Sequence, residues 1–323
     1  MTRFEQLAHT HSDLCRINEI ARSASGLPVY ALRLGTGARR VAILSGMHGC
    51  EPSGPRGLLA FLDALLSRSA PFEATVDPSI LQSATLVVIP LLNPGGAARF
   101  AMHFPGSWHG TQLQGWTEAN RQRFFAEGNE PLHFFFSTWV KQPPMHFTPD
   151  QIAQWEAGGN VLGSSLTDGG LDMWFDWAET HGDETRAAKE LLGGFRPHVV
   201  ADFHNFMFPT EVFAPTVYSQ GALAWLEESL AGAIQEAWRA RRLPFRDRPP
   251  RPYPKPAEPY YEDAWFHKLG AATLIIEFNG GMPATEGAEC EALPGERPLT
   301  RRESLESAFV AATALARRAA ETS

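Results

Sequence analysis

Apolar residues run in short unbroken blocks along this chain, and polar, chemically competent residues follow the blocks. The clearest blocks are PVYALRLG (28–35), RVAILSG (40–46), SATLVVIPLLNP (83–94), RPHVVADFHNF (196–206) and AATLIIEFNGG (271–281). Each is short, apolar and closed by Gly, Pro or Asn, which predicts a strand. The first two are expected to join through a tight TGAR turn. Between the blocks stand stretches with apolar residues at helical spacing. They are GPRGLLAFLDALLSR (54–68), DETRAAKELLGG (183–194) with its Gly-Gly stop, and longer ones at 220–242 and 301–319. Strands that are apolar on both sides and alternate with helices predict an α/β fold. Its centre is a mostly parallel mixed sheet with helices on both faces.

Residues 101–180 break the pattern. They are rich in Trp, Phe, Gly and Pro. They are expected to form a long aromatic-rich loop insert with short helices that shapes a pocket, not a second domain. The whole chain, 1–323, is thus expected to be one domain.

In sheets of this kind ligands sit beyond the carboxyl ends of the strands. Four blocks end in residues suited to chemistry. VAILSG is followed by His48 and Glu51, VVIPLL by Asn93, HVVADF by His204, and TLII by Glu277. Composition narrows the partners. Hydrophobic residues are 44% and charged residues 20%, the balance of a soluble globular protein. A formal net charge of −8 argues against a nucleic-acid surface. One basic stretch, RARRLPFRDRPPR (Arg239–Arg251), reads as a solvated helix end running into a Pro-rich loop. Cys15, Cys50 and Cys290 have no spacing of a disulfide framework. The N-terminus lacks a signal-like apolar run, and no stretch is long enough to span a membrane. A cytoplasmic protein with no membrane partner is the expectation. The sequence carries no signal for oligomeric state.

His48, Glu51 and His204 together form a two-imidazole, one-carboxylate set. Such a set holds a single catalytic zinc ion and leaves a fourth position open. Bound zinc would acidify a water and polarise a carbonyl. A base is then needed for the water proton, and Glu277 is the candidate. A second HxxE pair, His181 and Glu184, leads into a helix where Asp183 and Glu184 favour the N-terminus, and it reads as helix-start chemistry. Asp202, two before His204, is expected either on the opposite side of its strand or as a carboxylate supporting the histidine.

MHGCEPSG, PLLNPGG, EANR, DFHNF and IIEF, in that order, resemble the zinc metallocarboxypeptidases of the carboxypeptidase A type. The resemblance spans about residues 40–281. It implies that His48, Glu51 and His204 hold zinc and that Glu277 is general base, then proton donor to the leaving amine. It implies that Asn120 and Arg121 grip a free C-terminal carboxylate, a task suited to the planar guanidinium fork. Glu118 takes the place of an acidic residue that orients the first zinc histidine. Arg99 is the candidate for polarising the scissile carbonyl. Tyr260 or Tyr261 would close over the substrate. Glu262 and Asp263 lie near the region that sets preference in relatives and would favour a basic side chain. The implied function is a zinc-dependent hydrolase that cuts an amide beside a free carboxylate, with a small peptide as substrate. Two alternatives stand beside it. One is a deacylase of N-acyl amino acids, similar to succinylglutamate desuccinylase and aspartoacylase. The other is a non-catalytic binding protein on the same fold.

Overall fold

The structure, a computed structural model, describes residues 2–103, 166–206, 210–251, 262–279 and 299–322. These residues contain seven strands: β1 (Cys15–Arg22), β2 (Pro28–Leu34), β3 (Arg39–Ser45), β4 (Ala84–Ile89), β5 (Val199–Phe206), β6 (Glu211–Phe213) and β7 (Ala272–Asn279). They form one sheet in the order β1-β2-β4-β3-β5-β7-β6. The inner strands β4, β3, β5 and β7 are parallel, and β1, β2 and β6 add antiparallel flanks. All six residues of β4 are buried, as a strand covered on both faces requires. β1 (CRINEIAR) was not among the expected strands. It is a largely exposed edge strand, too polar to register as an apolar block.

The TGAR connection is not a hairpin turn. β2 and β3 both pair with β4, which lies between them. The connection instead crosses the start of β4. Thr85 Oγ1 donates to the Gly37 carbonyl at 2.7 Å, and the Thr36 N–H donates to Leu81 O at 3.0 Å. A Cβ on Gly37 would lie 1.9 Å from the Ser83 carbonyl carbon, so only glycine permits this crossing.

The helices are α1 (Arg3–Thr10), α2 (Ser53–Ser67), α3 (Ile80–Ser83), α4 (Pro94–His103), α5 (Met173–Glu179), α6 (Asp183–Phe195), α7 (Gly221–Ala240), α8 (Glu262–Lys268) and α9 (Arg301–Glu321). α2, α6, α7 and α9 match the helical spacings read from the chain. The start of α9 is set by a capping box in which Thr300 and Glu303 satisfy each other's backbone N–H groups. Alternation along the strands builds two apolar layers. Val41, Ile43, Val88, Ala201, Phe203 and Ile276 face α2, α7 and α9. Ala42, Leu44, Val87, Ile89 and Val200 face Trp177, Leu192 and Phe266 of α5, α6 and α8. Among the described residues no helix is long and apolar enough to cross a membrane. Of the expected insert, 104–165 lies outside the described residues, while Leu166, Trp174 and Trp177 pack into the second layer.

The basic stretch has the expected solvated helix end, with 239–242 exposed, and adds ion pairs that were not expected. Arg239 pairs with Asp247 at 2.7 Å, Arg241 pairs with Glu306, and Arg246, Arg248 and Arg251 turn toward Glu211. Its loop part, Arg246 to Arg251, is folded onto Glu211. Such pairing is invisible in one dimension, because Glu211 and Glu306 are distant in sequence.

Candidate metal centre and active site

Two backbone devices place His48 and Glu51. Beyond β3, the Leu92 N–H donates to Ser45 O at 3.0 Å and the Asn93 N–H to Gly46 O at 2.9 Å. Asn93 Oδ1 then accepts from the Gly96 N–H at 2.8 Å and opens α4. The loop of residues 46–51 rests on this Asn-Pro-Gly-Gly turn so closely that a Cβ on Gly49 would sit 2.1 Å from the Gly96 carbonyl carbon. On the other side, Asn205 holds the first residue of α2. Its Oδ1 accepts from the Ser53 N–H at 3.1 Å, and its Nδ2 donates to Ser53 Oγ at 2.6 Å. The residue after His204 therefore fixes the residue two after Glu51.

The three candidate ligands meet. His48 Nδ1 lies 2.8 Å from Glu51 Oε1, and His204 Nδ1 lies 3.2 Å from Glu51 Oε2. The imidazole centroids are 5.2 Å apart. All three side chains are buried, and one ligand atom from each lies within 4.8 Å of the others. The outer nitrogens face carboxylates as well. His48 Nε2 is 3.8 Å from Asp172 Oδ1, and His204 Nε2 is 3.5 Å from Asp202 Oδ2. Burial alone would push the His48 pKa down, but Glu51 and Asp172 outweigh it and raise it to about 10. His204 is likewise raised well above the ordinary range, with Asp202 and Glu51 overcoming burial. Glu51 feels burial upward, yet the two imidazoles bring it down to about 2.

Glu277 stands beside this group. In the parallel pairing of β5 and β7 it is the register partner of His204, on the next strand. It is 5% exposed. Its Oε2 has no hydrogen bond among the described residues. Burial pushes its pKa up to about 8, with the imidazoles opposing and Glu51 adding to the rise.

Asp202 departs from the first of its two readings and fits the second. It lies on the same side of β5 as His204, as the two-residue period of a strand demands. Asp172 was not singled out. It N-caps α5, its Oδ1 accepting the Trp174 N–H at 3.0 Å, and the same oxygen faces His48. An Asp before an apolar helical turn is a cap signal, but nothing in the sequence ties it to His48. Glu118, Asn120, Arg121, Tyr260 and Tyr261 lie outside the described residues, as do the side chains of Glu262 and Asp263. Arg99 is held elsewhere: Nη1 donates to Asp168 Oδ1 at 2.9 Å and Nη2 to Leu166 O at 2.7 Å. A role at a scissile carbonyl would require it to leave Asp168. The second HxxE pair opens α6 with Asp183 and Glu184 in the first turn, in line with its reading as a helix start. A groove of about 800 Å³ between α7 and α9 lies on the opposite face of the sheet and contains none of these residues.

Residues 2–206 match the family model described as zinc carboxypeptidase. The chain belongs to the zinc carboxypeptidase family. Solved structures share the fold across nearly the whole chain. A metallo-carboxypeptidase from Burkholderia cenocepacia is 15% identical, with 98% of this chain and 68% of that chain covered and a TM-score of 0.58. Carboxypeptidase A from Helicoverpa armigera is 12% identical, with 99% and 72% covered and a TM-score of 0.58. Bovine thrombin-activatable fibrinolysis inhibitor, solved with tick carboxypeptidase inhibitor, is 13% identical, with 99% and 95% covered and a TM-score of 0.58. A comparison with curated protein sequences finds no match.

The donor set fits the zinc of this family. In a tetrahedral site with Zn–N and Zn–O bonds near 2.1 Å, neighbouring ligand atoms stand about 3.4 Å apart. The observed Nδ1–carboxylate separations, 2.8 and 3.2 Å, approach that spacing. The carboxylates behind both imidazoles are the partners that metal-bound histidines commonly have.

Proposed function

We propose that this zinc carboxypeptidase family member is a hydrolase that removes the last residue of a small peptide by cutting the amide next to its free carboxylate. His48, Glu51 and His204 hold the ion. Zinc, when bound, supplies a Lewis acid that acidifies water and polarises a carbonyl. Glu277 accepts the proton of the attacking water and returns it to the leaving amine. Its carboxylate is buried on the strand next to His204, where it can face a metal-activated water. Asp172 and Asp202 keep the imidazoles oriented. Asn120 and Arg121 hold the substrate carboxylate, and Tyr260 or Tyr261 covers it. Glu118 has by resemblance a place behind His48, and Asp172 brings a carboxylate to that same imidazole. Arg99 serves the oxyanion only if it exchanges Asp168 for substrate.

The reading rests on one observation: three buried candidate ligand atoms converge with a buried carboxylate at the matching register of the adjacent strand. The test uses zinc content and turnover together. Glu277→Gln is expected to keep zinc and lose turnover of an N-acyl dipeptide by about a thousandfold, within the range that general acid–base catalysis supplies. His204→Ala is expected to lose both. Retention of activity by Glu277→Gln would sink the assignment, and so would loss of its zinc. Turnover of N-acyl amino acids alone would replace the peptidase with the deacylase.

A further inference from the structure

Glu211 opens β6 and is the direct antiparallel partner of Glu277. Directly opposed residues share a face of the sheet. His204, Glu277 and Glu211 therefore form a row across three adjacent strands. With strands roughly 4.8 Å apart, Glu211 stands one strand beyond the proposed base and two beyond the ligand histidine.

Three arginines of the 246–251 segment converge on this one carboxylate. Arg248 reaches Oε1 with Nε at 2.7 Å and Nη2 at 2.5 Å. Arg251 Nε reaches the same oxygen at 3.3 Å, and Arg246 Nη1 lies 3.6 Å from Oε2. Glu211 is 2% exposed, whereas the Arg248 and Arg251 side chains are 34% and 40% exposed. The segment is anchored through its backbone. The Arg246 N–H donates to Thr210 O, Gln235 Nε2 to Arg248 O, and the Ala214 N–H to Arg251 O. The Arg251 guanidinium also lies over the Phe213 ring, 5.8 Å from its centroid. Arg248 and Arg251 alone bring two positive charges to a single negative one. A surface ion pair has no need of the second guanidinium. An anion arriving from the solvent side would find forked donors already aimed by Glu211.

We propose that this cluster receives a second carboxylate of the substrate, so that the residue released is preferentially acidic. The inference rests on the hydrolase reading and adds the substrate class to it. It reverses the expectation of a basic side chain drawn from Glu262 and Asp263. The reach favours a side-chain carboxylate over the α-carboxylate. In a C-terminal glutamate the former is two bonds further from the scissile carbon, and the cluster lies a strand beyond Glu277.

The full-length, zinc-loaded protein is assayed on N-acyl dipeptides ending in Glu, Gln, Leu or Lys. The expected kcat/KM for Glu exceeds that for Gln by about tenfold or more, because a site built for a charged group rejects its neutral isostere. In Arg248→Met the Glu/Gln ratio falls toward one, and Arg248→Lys restores part of it. Calorimetry with glutarate against its monoamide, with and without zinc, reads the same site without turnover. No peptide cleaved but glutarate bound, and lost in Arg248→Met, would end the hydrolase reading and keep the cluster. A preference for Gln, Leu or Lys, or a ratio unmoved in Arg248→Met, overturns the cluster's role and leaves the hydrolase intact. If Arg248→Met fails to fold, Arg251→Met carries the comparison. If neither folds, a wild-type ratio near one is itself decisive against the proposal.

Discussion

At the scale of single residues, the site is a charge problem. Without an ion, two buried imidazoles share one buried carboxylate, with Asp172 and Asp202 behind them. That pairing favours the charged imidazoles: His48 is raised to about 10, and His204 is raised well above its usual value. Zinc binds the neutral imidazole, so loading must expel these protons. The sign follows: apparent zinc affinity climbs as pH rises toward the His48 value and drops in acid. Titration of metal-free protein at pH 7 should release more than one proton per ion, seen by calorimetry in buffers of different ionisation enthalpy. An affinity that does not change between about pH 6 and 8 would contradict the pairing.

At the scale of elements, the ligands are placed by contacts between segments. The HxxE loop is pressed on the Asn-Pro-Gly-Gly turn at Gly49 and tied to β5 through Ser53 and Asn205. Adding one methyl at Gly49 forces backbone apart. Gly49→Ala is expected to cost about 1–3 kcal/mol in denaturant unfolding and to weaken zinc retention as well. Gly232, on α7, is the internal contrast, because a Cβ there would meet nothing within 4 Å. Gly232→Ala should gain about 0.5–1 kcal/mol, the ordinary helix preference, with zinc content unchanged. Equal effects at the two glycines would show that close packing at the loop does not matter.

At the scale of the whole molecule, the proposed ion joins β3 and its following loop to β5, and the base comes from β7. The sheet brings them together because β3, β5 and β7 are adjacent although widely separated in sequence. An ion bound only by the folded chain stabilises it by mass action. At a free zinc concentration a hundredfold above Kd the gain is about 2.7 kcal/mol. For a chain of this size each kcal/mol moves Tm by about 2–4 °C. Chelation should therefore lower the melting temperature by several degrees, and His204→Ala should abolish the dependence on zinc. A Tm that chelator leaves unmoved in a zinc-containing protein would place the ion elsewhere.

The apolar blocks and helical spacings by themselves determined the parallel centre of the sheet, the bounds of α2, α6, α7 and α9, and the strand ends where His48, Glu51, His204 and Glu277 stand. Those features are local: burial on both faces writes itself into consecutive residues, and ligands next to strand ends are near in sequence to what positions them. Tertiary structure alone decided the rest. The polar edge strand β1 carries no apolar block, and β4 slips between β2 and β3 because pairing answers to the whole sheet and not to the shortness of the turn. Asp172 reaches His48, Arg99 turns to Asp168, and the basic stretch folds onto Glu211. In each case the partner is distant along the chain, and charge alone cannot say which opposite charge will be near.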